Sequence, residues 1–188
     1  MPNCPICKAS STVDPPTGDA LNWHCPQCGS YRLAGTAESI LREKPIAQFG
    51  AVSGWIRQQN ALGIIPTISD VDMLRRLTKP PFRERAERYL LAVVAKASQF
   101  NAPLTPAGPD LTGASYSEDE GDVSVIRQYL VDEELIVQRQ GGEWRITAKG
   151  FITADDLRAR RAASSQAFVA MWFHEDLESA YSDGISAA

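Results

Sequence analysis

The motifs Cys4-Pro5-Ile6-Cys7 and Cys25-Pro26-Gln27-Cys28 decide how the N-terminal part of this chain folds. They are two Cys-x-x-Cys pairs separated by seventeen residues, and they contain all four cysteines of the 188-residue chain. Two such pairs on tight turns bring four thiolates to about 2.3 Å from one tetrahedral Zn²⁺, and a spacing of about 15–20 residues is typical of zinc ribbons. The pattern therefore predicts a Zn²⁺ site whose ligands are Cys4, Cys7, Cys25 and Cys28.

Paired cysteines have two other common uses, disulfide bonds and redox Cys-x-x-Cys centres. Disulfides need an oxidising compartment, and a redox pair usually lies in a βαβ pattern, which surrounds neither motif. Four protein ligands would make the metal site structural, because a catalytic zinc keeps one position open for water. His24, next to Cys25, is then expected at the surface or beside the ligands instead of on the metal.

The composition is that of an ordinary soluble protein, with 44% hydrophobic residues, 22% charged residues and a formal net charge of -4. No run reaches the roughly 18–20 apolar residues of a membrane span. The N-terminus leads directly into the first cysteine motif without a signal peptide, so we expect a cytoplasmic protein without a membrane partner. An acidic chain has no general electrostatic attraction to nucleic acid.

The first 80 residues are predicted to form a zinc ribbon over residues 1–35 and a helical region over 36–80. The segment 14–19, with its two prolines, is expected to be a turn. Gly50 and Gly54, four residues apart on one helix, are expected to allow close packing against a neighbour. The predicted elements are strands over 20–25 and 31–33, a helix from the cap Thr36 to 43, a helix over 46–62 with Ile46, Phe49, Val52, Ser53 and Ile56 on one face, and a short helix capped by Ser69.

The next region, residues 81–162, follows Lys79-Pro80-Pro81, which ends a helix and marks a domain boundary. Its first helix runs from Phe82 to about Ser98 with one apolar stripe, and a long loop over 102–121 is expected after it. The remaining predicted elements are a helix capped by Asp122, strands over 135–137 and 144–147 joined by a Gly141-Gly142 turn, an end of the second strand at Gly150, and a helix over 151–162.

The order helix, helix, hairpin, helix resembles a winged-helix domain, most closely in 129–136 and 141–150. Such a resemblance implies a DNA-binding transcription regulator. The middle helix of the helix-turn-helix is expected to be replaced by the acidic loop around 118–120. Residues 81–162 also hold thirteen Asp or Glu against eleven Lys or Arg, whereas a helix in the major groove must neutralise phosphates. DNA binding is therefore the alternative and not the first hypothesis.

The last residues, 165–188, begin with the continuous apolar run 167–173, which predicts a buried parallel strand followed by a helix. Because a parallel strand needs neighbours, we expect the first β-α unit of a Rossmann-like domain that this chain does not complete. The run 168–173 followed by Leu177, Tyr181, Gly184 and Ile185 resembles the opening of bacterial domains related to Toll/interleukin-receptor (TIR) domains and nucleoside 2-deoxyribosyltransferases. Those domains cleave N-glycosidic bonds of nucleosides or NAD, and a Cys₄ ribbon with a helical or winged region often precedes them.

Taken together, the sequence predicts an α+β protein with a small zinc ribbon, a helical segment, a winged-helix-like domain and the start of a Rossmann-like domain. No catalytic or cofactor-binding residue is assigned, because His24 and His174 are far apart and no Gly-rich phosphate loop is present. The first hypothesis is a zinc-stabilised regulatory or sensing module before a nucleotide- or NAD-processing domain, in antiphage defence, which associates with itself or with another protein. A third hypothesis is an enzyme on nucleotides in which this portion is a scaffold.

Overall fold

The computed structural model describes residues 1–97 and 99–164, which form an α+β protein, as predicted. The strands are β1 Thr12–Thr17, β2 Ala20–Cys25, β3 Gly29–Ala34, β4 Thr67–Ile68, β5 Ile136–Gln138 and β6 Trp144–Ile146. The helices are α1 Gly35–Glu43, α2 Phe49–Ala61, α3 Val71–Arg76, α4 Phe82–Lys96, α5 Pro109–Ala114, α6 Glu120–Asp132 and α7 Ala148–Ser164. The strand and helix predicted within 165–188 lie outside the described residues. No helix in the described ranges combines the length and apolar character that a bilayer crossing needs.

Residues Met1–Leu157 form one compact unit that contains two hydrophobic cores. The first core joins the ribbon to α1, α2 and α3, since buried residues of all four parts belong to it. Its largest fully buried side chains include Trp23 and Tyr31, whose rings stack in parallel. The second core joins α4, α5, α6, the β5–β6 hairpin and α7. The ribbon therefore buries its apolar surface against the helices that follow it, which a module of about 35 residues could not do alone.

The main sheet has the strand order β1-β2-β3-β4, with two antiparallel pairs and a parallel pair between β3 and β4. The prediction of a turn over 14–19 is wrong, because β1 continues to Thr17 and only Gly18 and Asp19 make the turn. Pro15 and Pro16 are tolerated there because β1 is an edge strand, and its register shifts between Asp14 and Thr17.

Helix starts differ from the predictions by a few residues. Thr36 lies inside the first turn of α1 instead of capping it. Asp70 and not Ser69 caps α3, and Asp119 and not Asp122 caps α6. The carboxylate of Asp70 accepts from two backbone N–H groups of the first turn, and that of Asp119 accepts from one. A carboxylate directly before the helix reaches those N–H groups, which explains why the acid next to the first turn is the cap.

Helix α5 occupies the middle of the segment that was predicted to be a loop. The middle helix that was expected to be missing between α4 and α6 is therefore present. Pro109 stands at its first position, where a missing N–H costs nothing, and Leu111 is fully buried in the second core. Pro, Gly and Ser dominate this segment, so its local sequence favours a loop, and one buried leucine is too little to show helical periodicity.

Helix α7 begins at Ala148, three residues before the predicted start. Gly150 lies in its first turn and does not end the strand. A Cβ at this position would stand 2.1 Å from the carbonyl oxygen of Leu135, so the helix can approach the β5 segment this closely only with glycine. The Gly141-Gly142 turn is confirmed, with φ values of 94° and 84°.

Candidate metal centre

The four predicted ligands Cys4, Cys7, Cys25 and Cys28 come together, with all their sulfur atoms within 4.8 Å of one another. The sulfurs of Cys7 and Cys25 are 3.4 Å apart, and those of Cys4 and Cys28 are 3.9 Å apart. A tetrahedral ion with metal–sulfur bonds of about 2.3 Å needs sulfurs about 3.8 Å apart. A disulfide needs about 2.05 Å, and all four cysteines are free. The cluster thus fits a four-thiolate metal site, and the donor set suits Zn²⁺.

Each cysteine pair lies on a tight turn whose next residue has a positive φ angle. After the first pair, Lys8 has φ of 67° and its N–H donates to the carbonyl of Cys4 over 3.0 Å. After the second pair, Gly29 has φ of 91° and pairs with Cys25 at the end of the β2–β3 ladder. The backbone N–H of Cys28 also donates to the sulfur of Cys25 over 3.3 Å. These turns point both sulfurs of each pair to one side, as the motif predicts.

Two buried hydroxyl groups contact the sulfurs. The Tyr31 hydroxyl lies 3.1 Å from the sulfur of Cys4, and the Ser53 hydroxyl, on α2, lies 3.0 Å from the sulfur of Cys28. Burial raises the pKa of Tyr31, and the negative charge of Cys4 raises it further, so the phenol keeps its proton. Cysteines that bind a metal are thiolates, which only accept, so both hydroxyls would be the donors in a metal-bound cluster.

The close packing of the four sulfurs makes the protonation of each depend on that of its neighbours. The hydrogen bond from the Cys28 thiol lowers the pKa of Cys25, and the same hydrogen bond raises the pKa of Cys28. Packing four sulfurs this closely makes protonation of one favour ionisation of its neighbour. A divalent cation would relieve this competition, because it favours the thiolate form of all four.

Helix α2 supports the second cysteine turn with two polar side chains. The guanidinium of Arg57 donates through Nε to the carbonyl of Gln27 over 2.7 Å and through Nη2 to the carbonyl of Pro26. Burial lowers the pKa of Arg57, and the negative charges of Asp110, Cys28 and Cys25 oppose that effect. Asn60 clamps β3, since its Oδ1 accepts from the N–H of Ser30 and its Nδ2 donates to the Ser30 carbonyl, both over 2.8 Å.

The second cysteine turn also packs directly on α5. A Cβ at Gly113 would stand only 1.9 Å from the carbonyl oxygen of Gln27, so glycine is required for this approach. The Gln27 side chain donates to the carbonyl of Glu118 over 3.3 Å. Gln27 lies between Cys25 and Cys28 in the sequence. The candidate metal site is therefore directly next to the contact between this turn and α5.

Gly50 and Gly54 of α2 face the segment after α5. A Cβ at Gly54 would stand 2.3 Å from the ring of Tyr116, and one at Gly50 would stand 2.7 Å from the Tyr116 carbonyl oxygen. The Tyr116 hydroxyl donates to Oε1 of Gln58 over 2.8 Å. The prediction that the two glycines allow close packing is confirmed.

His24 is not part of the sulfur cluster. Its Nε2 lies 2.8 Å from a carboxylate oxygen of Asp14, its Nδ1 lies 3.0 Å from the hydroxyl of Ser30, and the residue is exposed. The expectation of a surface histidine is confirmed.

Sequence reasoning missed the residues that surround the ligands, namely Tyr31, Ser53, Arg57 and Gly113. One signal was present for Ser53, because it is a polar residue on the apolar face of α2, where a hydroxyl needs a buried partner. The others carry no local signal, since their partners lie 27 to 31 positions away in the chain or further.

No protein-family model, no curated protein and no solved structure matches this chain. The metal centre is supported by its own four sulfurs and their neighbours, while the winged-helix and TIR-like resemblances remain predictions.

Proposed function

We propose that the described residues form a zinc-stabilised regulatory or sensing module that precedes a nucleotide- or NAD-processing domain. The observation that carries this proposal is the contact between the second cysteine turn and α5, where the Gln27 carbonyl meets Gly113. Loss of the metal would free the turn between Cys25 and Cys28, and with it the surface on which α5 packs. A change at the metal site is thereby transmitted to the second core.

Cys4, Cys7, Cys25 and Cys28 would hold the ion, which acts as a structural cross-link. The hydroxyls of Tyr31 and Ser53 hold the thiolates of Cys4 and Cys28 in place and stabilise their charge. Four cysteines kept reduced as ligands suit a reducing compartment, and the proposal therefore places the protein in the cytoplasm.

The nucleotide-processing part of the proposal depends on residues 168–185, which lie outside the described residues. Their sequence resembles that of TIR and nucleoside 2-deoxyribosyltransferase domains. That resemblance implies a bacterial protein, antiphage defence as its setting, and N-glycosidic bond cleavage as its chemistry. Self-association or another protein is the proposed partner.

The test uses the full-length protein that contains this chain, with its zinc content measured first. We expect release of nicotinamide from NAD, or of base from nucleosides, at a rate that changes when a chelator removes the zinc and recovers when zinc is restored. No cleavage under either condition would refute the enzymatic part. Cleavage at the same rate with and without zinc would refute the regulatory part.

A winged-helix DNA-binding protein is the second candidate. The order α4, α5, α6, the β5–β6 hairpin and α7 supports it, because α5 supplies the middle helix of a helix-turn-helix.

The basic side chains around α6 weigh against DNA binding. Arg127 of α6 bonds to the carboxylate of Glu120 and to the carbonyl of Pro106 over 2.8 Å. Arg85 contacts the α6 acid Asp122, and the hairpin residue Arg145 bonds to Glu143 over 2.7 Å. A cation that is already paired with a carboxylate contributes little binding free energy when it contacts a phosphate.

Fluorescence anisotropy with a labelled random duplex separates the two candidates. We expect a dissociation constant no tighter than about 10⁻⁴ M at physiological salt. A tight, sequence-selective complex would favour the transcription regulator.

A further inference from the structure

The four cysteines of the metal centre have unequal surroundings. The sulfur of Cys4 accepts from Tyr31, that of Cys28 accepts from Ser53, and that of Cys25 accepts from the backbone N–H of Cys28. These three cysteines are also 0%, 0% and 4% exposed.

Cys7 differs in both respects. It is the one ligand that is partly exposed. Among the described residues, no hydroxyl or N–H group donates to its sulfur, whose hydrogen-bond partner is the sulfur of Cys25 at 3.4 Å. The thiolate is the nucleophilic form of cysteine, and a donated hydrogen bond stabilises its charge and lowers its reactivity. Among the four cysteines, Cys7 is therefore the most accessible to solvent and has the fewest donated hydrogen bonds.

We propose that Cys7 is a modification site, the ligand at which soft electrophiles and peroxides enter the metal centre. This inference depends on the proposed zinc site, because a reduced four-thiolate cluster is its starting point. Addition of the Cys7 thiolate to the C=C bond of N-ethylmaleimide forms one carbon–sulfur bond, breaks the π bond and takes one proton from water. One thiolate ligand would thereby be lost, and the remaining three-sulfur site would bind the metal more weakly.

Hydrogen peroxide also reacts first with Cys7 in this proposal. The Cys7 thiolate attacks one peroxide oxygen, the O–O bond breaks, and a sulfenic acid and hydroxide form. The Cys25 thiolate, at 3.4 Å, then attacks the Cys7 sulfur and expels a second hydroxide. Two thiolates have lost two electrons, one peroxide has gained them, and a Cys7–Cys25 disulfide is formed. Only Cys4 and Cys28 would remain as thiolate ligands, and two sulfurs would hold the ion too weakly to prevent its release.

The experiment begins with the zinc content of the purified full chain, because absence of zinc refutes the proposed site and not the order of reactivity. The zinc-loaded protein is then treated with substoichiometric N-ethylmaleimide, and singly modified peptides are quantified by mass spectrometry. We expect Cys7 to carry the label about tenfold more often than any other cysteine, a ratio that one hydrogen bond to a charged group explains. Equal labelling of the four, or a preference for Cys4, Cys25 or Cys28, would overturn the proposal.

Matched variants test whether the hydroxyls of Tyr31 and Ser53 protect Cys4 and Cys28 from labelling. Tyr31→Phe should raise labelling of Cys4 several-fold, and Tyr89→Phe is its control, because Tyr89 is a fully buried tyrosine whose hydroxyl bonds to Pro106 in the second core. Ser53→Ala should do the same for Cys28, with Ser115→Ala as the control for loss of a buried serine hydroxyl. Labelling that rises equally in variant and control would show general loosening and contradict the proposed protection.

The oxidation arm uses one equivalent of hydrogen peroxide and a colorimetric zinc chelator. We expect zinc release together with a Cys7–Cys25 linkage in a non-reducing peptide map. A Cys4–Cys28 linkage, or oxidation without zinc release, would contradict the proposed route.

Discussion

Replacement of Gly113 with alanine directly tests the contact between the second cysteine turn and α5. The added Cβ would stand 1.9 Å from the carbonyl oxygen of Gln27 and 2.8 Å from Nε of Arg57. Because ordinary contacts begin near 3.4 Å, α5 and the turn would have to separate by about 1.5 Å. The carbonyl is backbone, so no side-chain rotation relieves the overlap.

The expected cost has three parts. Overpacking costs about 1–3 kcal/mol. The separation also weakens the hydrogen bond from Arg57 to Gln27, and bonds of this charged kind contribute about 1.5–3 kcal/mol. Alanine favours the helix over glycine by about 1 kcal/mol, which offsets part of the loss. We therefore expect Gly113→Ala to lower the free energy of unfolding by about 1.5–5 kcal/mol.

Urea unfolding of the zinc-loaded protein, followed by far-ultraviolet circular dichroism, measures this loss. Gly35→Ala is the matched control, because Gly35 also lies in a helix and its nearest neighbour, the Asp19 carbonyl oxygen, would be 4.0 Å from the new Cβ. The control should be neutral or slightly stabilising. A Gly113→Ala protein as stable as the control would refute the reasoning that the turn is pressed against α5.

Three further outcomes are expected. Elemental analysis should find one Zn²⁺ per chain. Chelation should abolish amide protection in β2 and β3 and reduce it in α5, which packs on the second cysteine turn, while α4 stays protected by the rest of the second core. Equal loss in β2, β3 and α4 by hydrogen exchange would contradict this. Asn60→Ala should cost about 1–3 kcal/mol in urea unfolding, since it leaves the N–H and carbonyl of Ser30 without their partner; an unchanged midpoint would show that the clamp is dispensable. Burial raises the pKa of Tyr89 from 10.0 to about 12, so the folded protein holds this proton more tightly and should lose stability as pH rises through that interval; an identical alkaline decline in Tyr89→Phe would contradict this.

The cluster of four cysteines was the most predictable part of the molecule. The spacing of four cysteines in two short motifs is a local pattern, and strands β2 and β3 follow from the residues between and after them. The same holds for Gly50 and Gly54, because two small residues four apart on a helix face indicate a close neighbour. The sequence did not show that this neighbour is Tyr116, which lies more than 60 positions further along the chain.

Elements that depend on distant partners could not be predicted. Strand β4 has two residues, Thr67 and Ile68, and exists because β3 offers them a parallel edge. The composition of α5 favours a loop, and the helix is stabilised by the burial of Leu111 in the second core. In both segments tertiary contacts override weak local preferences, which periodicity alone does not reveal.

The polar groups around the cysteines follow from the charge that a zinc site would bury. Four thiolates around one Zn²⁺ carry a net charge of about -2 in the first core, where an uncompensated charge is costly. The hydroxyls of Tyr31 and Ser53 would donate hydrogen bonds to this charge, and the guanidinium of Arg57 would offset part of it. Arg57 also binds the Gln27 carbonyl that faces Gly113. One side chain thus contacts the second cysteine turn and lies beside Gly113 of α5, which supports the proposed coupling of metal occupancy to α5.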